Sequence, residues 1–525
     1  MANKSLFQSI KGALLPPANA RNEAGGLAYS RSAEQALAQY AVTGCLNSTF
    51  YATGDEQLAA VLKLCQKVAP EFIARVALYS RQKGFMKDMP ALLLAVLSVK
   101  GPGLMAEIFD RVIDSPKMLR NFVQIMRSGV VGRKSLGTLP KRLIQQWIES
   151  RSDVQLFAGS VGNDPSLADV IKLVHPKPAT TSRAALFAYL LGRKYIHAEL
   201  PEVVQEYEVF KTHPKQRKGN VPNVPFQMLT SLPLAAGDWK QIARNAPWQM
   251  TRMNLNTFER HEVFKCEKLV ELIANRLRNP RLIEEARVFP YQLLAAFLNA
   301  SETVPHEIRE ALQDAMELAI SNVPHVPGRV VVCPDVSGSM HSPVTGVRVG
   351  ATSKVRCIDV AALVAAAILR RNPRAEVIPF ESDVVRLRLN PRDSVMTSAK
   401  ALTSLPAGGT NCSAPLKHLN ERKASADLIV YVSDNESWID SGTHGRFGGS
   451  ATATLQEWAK FKQRNPHAKM VCIDLQPTST TQAPERADII NVGGFSDQVF
   501  TMLADVANGS SNKDHWVREI QKMKL

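Results

Sequence analysis

The hydrophobic pattern of the chain changes near Pro327, and the two parts on either side of this point must fold differently. From about residue 30 to residue 322, apolar residues recur at three- and four-residue spacing, as in EQLAAVLKLCQKVA (56–69) and PALLLAVLSVK (90–100). This spacing predicts one amphipathic helix after another. Short breaks rich in Gly, Pro or Asp separate the helices, as at 101–103 and 114–116.

A run of about 290 residues of short helices rarely forms one bundle, and a stacked array of helical repeats is the expected architecture. Such an array curves into an arc or a ring. The sequence shows no strict repeat period, so this prediction depends on the succession of helices alone.

After Pro327, short β-branched segments alternate with helical ones. The predicted strands are RVVVCPDV (329–336), AEVIPF (375–380), ADLIVYVSD (426–434) and AKMVCIDL (468–475). The helical segments IDVAALVAAAILRRN and ATLQEWAKFKQRN lie between them. This alternation predicts a doubly wound, mostly parallel α/β domain, in which ligands bind beyond the carboxyl ends of the strands.

Oxygen-bearing side chains follow the predicted strands of this domain. Asp335, Ser337 and Ser339 form D-x-S-x-S directly after the first strand, Thr410 lies in PAGGTNCSAPL, and Asp434 ends a later strand. Carboxylates and hydroxyls without His or Cys suit a hard cation, Mg²⁺ or another divalent ion. The pattern is that of the metal-ion-dependent adhesion site of von Willebrand A (vWA) domains. Ordinary turn and capping residues are the alternative.

The charge balance favours a polyanionic partner. The formal net charge is +16, with 40 basic and 29 acidic residues before Gly328, and 24 and 19 from there on. Basic surfaces attract phosphate backbones, although a mildly basic protein without that role has the same composition. Aromatic residues make up only 6%, so we expect phosphate contacts rather than an aromatic base-stacking platform.

The sequence also limits the compartment. The seven cysteines are far apart without a CxxC pair, the longest apolar runs are too short to cross a bilayer, and MANKSLFQSIKG lacks an apolar signal core. These features predict a cytoplasmic protein with reduced thiols and no membrane association.

Several segments, taken together, resemble the Ro autoantigen ribonucleoproteins, which join a TROVE domain to a vWA domain. The resemblance covers PDVSGSM, PAGGTNCSAPL and SDNESW in the second part of the chain. It continues upstream through GCLNSTFYATGDE, GRKSLGTLPKRLIQQWI, VIKLVHPKPATT and ARVFPYQLLAAF, and so extends over nearly the full length.

This resemblance implies a monomeric ring of HEAT-like repeats, the TROVE domain, closed by a vWA domain that holds a divalent cation. It implies that single-stranded ends of misfolded RNA enter the hole of the ring, while small structured Y RNAs bind the outer surface. The corresponding domains are an N-terminal segment (1–29), the TROVE ring (30–327) and the vWA domain (328–525). Whether an exoribonuclease docks on the ring stays open.

Two basic segments are candidate RNA contacts. His175 matches a family histidine that is important for RNA binding, and Lys172 and Lys177 flank it. The alternative is that His175 only caps a helix end before Pro176. Ala168 stands where relatives carry a lysine, which puts the strength of this contact in doubt.

The second candidate segment, GRKSLGTLPKRLIQQWI, supplies a basic patch of Arg133, Lys134, Lys141 and Arg142 near a predicted helix start, where phosphate is favoured. The alternative is that these cations only form a solvent-exposed helix surface and do not contact RNA. The loop KTHPKQRKG (211–219) is equally basic.

The basic charge and the resemblance to Ro proteins together predict a non-catalytic RNA-binding protein, and the resemblance implies that it acts in RNA quality control. The chain has no P-loop, HExxH or ordered Ser-His-Asp motif, and D-x-S-x-S provides no general base or two-metal carboxylate cluster. The alternative is a vWA-based scaffold or adhesion module whose helical part binds protein.

Overall fold

The computed structural model describes residues 15–162, 164–214, 217, 220–286, 290–320, 323, 325–347, 355–440, 451–494, 496, 498–509 and 514–525. The helices before Pro327 are α1 (Ala33–Thr43), α2 (Gly54–Lys67), α3 (Pro70–Gln82), α4 (Asp88–Lys100), α5 (Pro102–Val112), α6 (Pro116–Ser128), α7 (Thr138–Glu149), α8 (Asp153–Ala158), α9 (Leu167–Val174), α10 (Thr181–Leu190), α11 (Glu202–Thr212), α12 (Phe226–Thr230), α13 (Ala236–Asn245), α14 (Trp248–Met253), α15 (Leu255–Arg260), α16 (Glu267–Leu277), α17 (Pro280–Ala286), α18 (Pro290–Asn299) and α19 (His306–Ile320).

The later helices are α20 (Cys357–Arg371), α21 (Val395–Thr403), α22 (Ala414–Glu421), α23 (Ala453–Arg464), α24 (Gln498–Ala507) and α25 (His515–Gln521). The strands are β1 (Ala20–Arg21), β2 (Leu27–Ser30), β3 (Val330–Pro334), β4 (Glu376–Val377), β5 (Leu428–Ser433), β6 (Lys469–Asp474), β7 (Thr480–Thr481) and β8 (Ile489–Gly493).

One compact unit, the helical unit, comprises the described residues between 58 and 320 together with residues 519–525. Its helices pack against partners that are close in sequence, such as α3 against α4 and α5, and α7 against α5 and α9. Contacts of this short range are typical of helical-repeat arrays. Helix α4 is buried on every side from Met89 to Ser98, which makes it a central element of this packing.

The second compact unit, the α/β unit, contains a five-stranded parallel sheet in the order β4-β3-β5-β6-β8. Its strand order reverses between β3 and β5, because β4 lies on one side of β3 and all later strands lie on the other. Ligand sites in doubly wound sheets occur at this kind of switch point.

Both faces of the parallel sheet are covered. Side chains such as Val331, Ile429 and Met470 share a core with α22 and α23, including the fully buried Trp458. Helix α20 packs against β3 and β5 on the opposite face, where the alternate residues of each strand point. A sheet covered on both faces needs nearly continuous apolar strands, and β5 is buried along its whole length.

The N-terminal residues belong to the α/β unit, and this unit is larger than the sequence predicted. Strand β1 pairs with β2, and β2 pairs with β7, in a small antiparallel sheet. Helix α1 packs against β8, so the α/β unit takes in residues up to 57 rather than only the predicted 328–525. Of the predicted N-terminal segment 1–29, residues 1–14 lie outside the described part.

The chain's last residues belong to the helical unit rather than to the α/β unit. The Arg75 side chain in α3 donates to the carbonyl oxygen of Met523 at 3.2 Å, and Arg111 in α5 donates to that of Lys524 at 2.7 Å. The predicted vWA domain, residues 328–525, therefore includes a few last residues that pack with the helical unit.

The predicted fold class, a mainly helical chain with a doubly wound α/β domain, is confirmed. The predicted strand 375–380 is shorter than expected, because regular pairing covers only β4, and Phe380 forms an isolated bridge with Asp335. Closure of the helical array into a ring stays a prediction. Within the ranges described above, no helix has the length and apolarity needed to cross a bilayer.

Candidate functional sites

The five predicted oxygen ligands are buried at the carboxyl ends of the two strands that flank the switch point. Asp335, Ser337 and Ser339 follow β3, and Asp434 follows β5. The serine hydroxyl oxygens are 3.5 Å apart, so the two-residue spacing turns both in the same direction. Thr410 is also buried, in a loop between α21 and α22.

Backbone hydrogen bonds hold the loop that carries Thr410 against its neighbours. The Gly338 amide donates to the carbonyl oxygen of Gly408 at 2.9 Å, and the Trp438 amide donates to that of Thr410 at 3.1 Å. The Gly408 backbone lies next to the carboxylate end of the Glu381 side chain.

The Asp335 carboxylate is fixed by two hydrogen bonds. Its Oδ1 accepts from the Ser337 amide at 2.8 Å, and its Oδ2 accepts from the Ser433 hydroxyl at 2.6 Å. Burial, followed by the negative charge of Asp434, raises the pKa of Asp335 to about 7. The two carboxylates are therefore close enough to repel each other.

The Asp434 carboxylate is less well satisfied. Its Oδ1 accepts from the Glu436 amide at 3.4 Å, whereas its buried Oδ2 has no hydrogen-bond partner. Burial raises the pKa of Asp434 as well. A buried, unpartnered carboxylate oxygen beside a second carboxylate is costly, and a divalent cation with oxygen ligands would relieve both problems.

Hydroxyl oxygens are essential to this fit. Among the described residues, no three His, Cys, Asp or Glu side chains converge in a way that could hold a metal. A cation at the switch point would therefore need Ser337, Ser339 and Thr410 beside the two aspartates, which is the predicted ligand set.

Sequence reasoning missed Tyr51, which precedes α2 and reaches this group of ligands. Its side chain lies near Ser339, and burial together with the charge of Asp434 raises the pKa of Tyr51 above its ordinary range. The segment GCLNSTFYATGDE was recognised only as part of the family resemblance, and nothing in it suggested a cation site. Glu436 was also missed, and burial together with Asp434 raises its pKa to about 8.

The predicted RNA-contacting residues Lys172, His175 and Lys177 are all exposed. His175 ends α9 in the left-handed conformation, at φ 50°, and its amide donates to the carbonyl oxygen of Ile171 at 2.9 Å. The backbone of His175 thus caps the helix, as the alternative interpretation held, while its imidazole stays free to meet a ligand. Lys172 has an exposed carboxylate, Asp169, 4.0 Å away, a pairing that contributes little in water.

Helix α7 lies beside the end of α9. The Gln145 side-chain amide donates to the carbonyl oxygen of Val174 at 2.5 Å and to that of His175 at 3.5 Å. Ile144, Trp147 and Ile148 form the buried face of α7, and this leaves Arg142 exposed and Lys141 partly exposed. The two predicted basic segments are therefore neighbours.

A groove of about 690 Å³ lies at the start of α7. We call it the basic groove, and its lining residues are Arg127, Lys134, Ser135, Leu136, Gly137, Thr138, Lys141, Arg142, Gln145 and Leu173. Among these described residues four are cationic and none is acidic. The free amides of the first turn of α7 also favour an anion here. Arg127, from α6, was not predicted.

Two of the basic residues singled out in the sequence have internal partners. The guanidinium of the half-buried Arg133 donates to the carbonyl oxygen of Ser98 at 3.0 Å. In the basic loop 211–219, Arg217 is buried and pairs with Asp238 at 2.9 Å. Residues 215, 216, 218 and 219 lie outside the described part. A structural role accounts for both arginines, because each compensates a buried acceptor.

Known proteins resemble this chain in both sequence and fold. Residues 329–507 match the family model described as the Ro60 vWA domain. The chain is 24% identical over 528 residues to the RNA-binding protein RO60 of Deinococcus radiodurans, covering 93% of this chain and 95% of that one. It is also 24% identical over 256 residues to the RNA-binding protein RO60 of Caenorhabditis elegans, covering 46% of this chain and 37% of the relative.

The crystal structure of the Deinococcus radiodurans RO (RSR) protein is similar in fold, with a TM-score of 0.63 at 20% identity. The similarity covers 91% of this chain and all of that one. The predicted resemblance to the Ro ribonucleoproteins is thereby confirmed.

Proposed function

We propose that this chain binds RNA without chemically altering it, and that the basic groove is a principal phosphate-binding surface. The observation that carries the proposal is the convergence of four cations from α6, α7 and the loop between them on one groove with no acidic lining residue. Phosphate contacts of this kind provide most of the affinity of proteins for nucleic acid. The two relatives from Deinococcus and Caenorhabditis, both named as RNA-binding proteins, support the same function.

The finer proposal concerns the kind of RNA. Small structured RNA of the Y RNA class binds an outer surface that includes the basic groove and the end of α9, with Lys172, His175 and Lys177. Single-stranded ends of misfolded RNA bind in the hole of a monomeric ring, and the protein takes part in RNA quality control in the cytoplasm. The resemblance to Ro proteins supports this proposal, since the exposed cations supply the outer contacts that it needs.

The α/β unit has a structural rather than a catalytic role in this proposal. Mg²⁺ or another divalent cation would be held by the five oxygen ligands Asp335, Asp434, Ser337, Ser339 and Thr410. When bound, the cation supplies positive charge that compensates two buried carboxylates and an open position for an oxygen ligand. The relatives from Deinococcus and Caenorhabditis are named as RNA-binding proteins, and we propose no enzymatic step.

The test is to purify the chain at low salt, release any bound nucleic acid with high salt, and sequence it. We expect a restricted set of small structured RNAs. Recovery of specific proteins without RNA would overturn the proposal and support the alternative of a vWA-based scaffold.

A further inference from the structure

A ladder of aromatic rings in the helical unit ends at the surface. Phe157 and Tyr207 are buried with ring centroids 5.6 Å apart, and Phe157 also contacts Tyr189, at 6.0 Å. Tyr189 in turn contacts Tyr195 at 5.5 Å, and each of these contacts is close to perpendicular. Tyr195 is 41% exposed, so one of its sides is held by the protein and another faces solvent.

The backbone around Tyr195 is well anchored on both sides. Helix α10 ends in a tight turn, in which Gly192 has φ 65° and the Arg193 amide donates to the carbonyl oxygen of Ala188 at 2.8 Å. Further along, the Gln205 side chain in α11 donates to the carbonyl oxygen of Leu200 at 2.6 Å. An exposed aromatic residue on an anchored loop loses little conformational entropy when it binds a ligand.

Tyr189, the ring that supports Tyr195, is itself fixed. Its hydroxyl donates to the Glu208 carboxylate at 2.5 Å, and Lys211 lies 3.1 Å from the same carboxylate. The Glu208 carboxylate thus accepts a hydrogen bond from Tyr189, and the ammonium group of Lys211 compensates its negative charge.

The loop also carries positive charge. All residues from 192 to 198 are exposed, and they include Arg193, Lys194 and His197. Residues 193–197 contain no carboxylate, and Ile196, which is 61% exposed, adds an apolar surface next to Tyr195. An exposed ring beside two cations, Arg193 and Lys194, is the combination with which proteins hold single-stranded nucleic acid, by stacking on a base and contacting its phosphates.

We propose that residues 193–197, the Tyr195 loop, bind single-stranded RNA, with one base stacked on Tyr195 and the adjacent phosphates at Arg193 and Lys194. This proposal rests on the proposed function. It adds a contact that does not depend on the identity of the base, because every base has a face that can stack. The low aromatic content argues against an extended stacking platform, and a single exposed ring is compatible with that expectation. A duplex is a poor ligand here, since its bases are already stacked on each other.

The Tyr195 loop is distinct from the basic segment at the end of α9. The loop follows the C-terminal end of α10, whereas the segment containing His175 and Lys177 precedes its N-terminal end. Ten helical residues separate the two by about 15 Å along the helix. Variants of one surface therefore leave the other intact.

The experiment measures binding of a single-stranded oligouridylate and of an RNA hairpin with no unpaired end to the full-length protein. For Tyr195→Ala we expect the affinity for the oligouridylate to fall about tenfold, with hairpin binding unchanged. Tyr195→Phe keeps the ring and should remain within about twofold of the original protein. Met253→Ala, which truncates another exposed apolar residue of the helical unit, 71% exposed, is the control. Irradiation of an oligouridylate carrying 5-iodouracil should crosslink to Tyr195.

Two results would overturn the proposal: Tyr195→Ala binding the oligouridylate as tightly as the original protein, or Tyr195→Phe being as weak as Tyr195→Ala. If hairpin binding still depends on Lys141 and Arg142 in those cases, only the Tyr195 assignment fails. If the original protein binds neither RNA at low salt, the proposed function fails with it.

Discussion

The Gln145 side-chain amide donates a hydrogen bond to the carbonyl oxygen of Val174, 2.5 Å away, and thereby joins α7 to the last turn of α9. Two basic segments that are separated in sequence become parts of one surface through this contact. The cations of α7 line the basic groove, and the exposed imidazole of His175 lies at the adjacent helix end. The predictions about RNA follow from this arrangement.

Replacing Lys172 and His175 together by glutamine should weaken binding of structured small RNA more than binding of an RNA with a free single-stranded end. The two side chains are exposed on the outer end of α9, and loss of up to two phosphate contacts should reduce affinity several-fold at moderate salt. Competition binding with both RNAs checks this. Equal losses for the two classes of RNA would contradict a separate outer site.

The change His175→Gly separates the two roles of this residue. Glycine adopts the left-handed conformation without the steric cost, about 1 kcal/mol, that a side chain has there. The free energy of unfolding should therefore stay the same or rise slightly, while RNA affinity falls because the imidazole is lost. A variant that is as stable as the original protein and still binds RNA normally would show that His175 acts only as a helix cap.

Arg133 and Lys134 should differ although they are adjacent. The Arg133 guanidinium donates to the carbonyl oxygen of Ser98, so Arg133→Gln should lower the free energy of unfolding by about 1 kcal/mol with little change in RNA affinity. Lys134→Gln, the matched variant, should leave stability unchanged and weaken RNA binding, because Lys134 lines the basic groove. Denaturant unfolding and RNA titration of both variants make the comparison. The prediction would be contradicted if Arg133→Gln weakened RNA binding at unchanged stability while Lys134→Gln lowered stability without weakening RNA binding.

The stability of the metal-free protein should depend on pH through the buried carboxylates. Burial and Asp434 raise the pKa of Asp335 from 3.8 to about 7 in the folded state. The protonated form therefore stabilises the fold, and this contribution is lost as the pH rises through about 7. In the presence of a chelator, we expect the melting temperature to fall as the pH rises from about 4 to about 7.

Added Mg²⁺ should remove most of this fall, because the cation replaces the proton as the compensating charge. Asp335→Asn removes one buried charge but leaves Asp434 and Glu436, whose pKa values are also raised. This variant should show a smaller fall and no response to Mg²⁺. Identical melting curves with and without Mg²⁺ at high pH would speak against a cation site.

The fold class and the common location of Asp335 and Asp434 were predictable because their signals are local. Asp335 and Asp434 directly follow buried apolar strands, and parallel strands place their carboxyl ends at one edge of the sheet. Strands β1 and β7 were not predictable, since two residues are too few to show an alternating pattern.

The surroundings of both sites depend on contacts that are distant in sequence. Tyr51 reaches Ser339 only because the N-terminal residues pack within the α/β unit. Arg127 looks like any exposed cation at the end of a helix, and only the packing of α6 places it on the basic groove. Arg133 looked equivalent to Lys134 because the sequence cannot show which cation will meet the carbonyl of Ser98.

The salt dependence of RNA binding by Lys141→Gln/Arg142→Gln tests the central claim most directly. The control is Lys265→Gln/Arg281→Gln, which removes the same charge from two side chains that are 71% and 85% exposed elsewhere in the helical unit. If both groove cations contact phosphates, the slope of log K against log salt should become shallower by about two. The control should keep the slope of the original protein. An unchanged slope and affinity in the groove variant would show that the basic groove does not bind RNA.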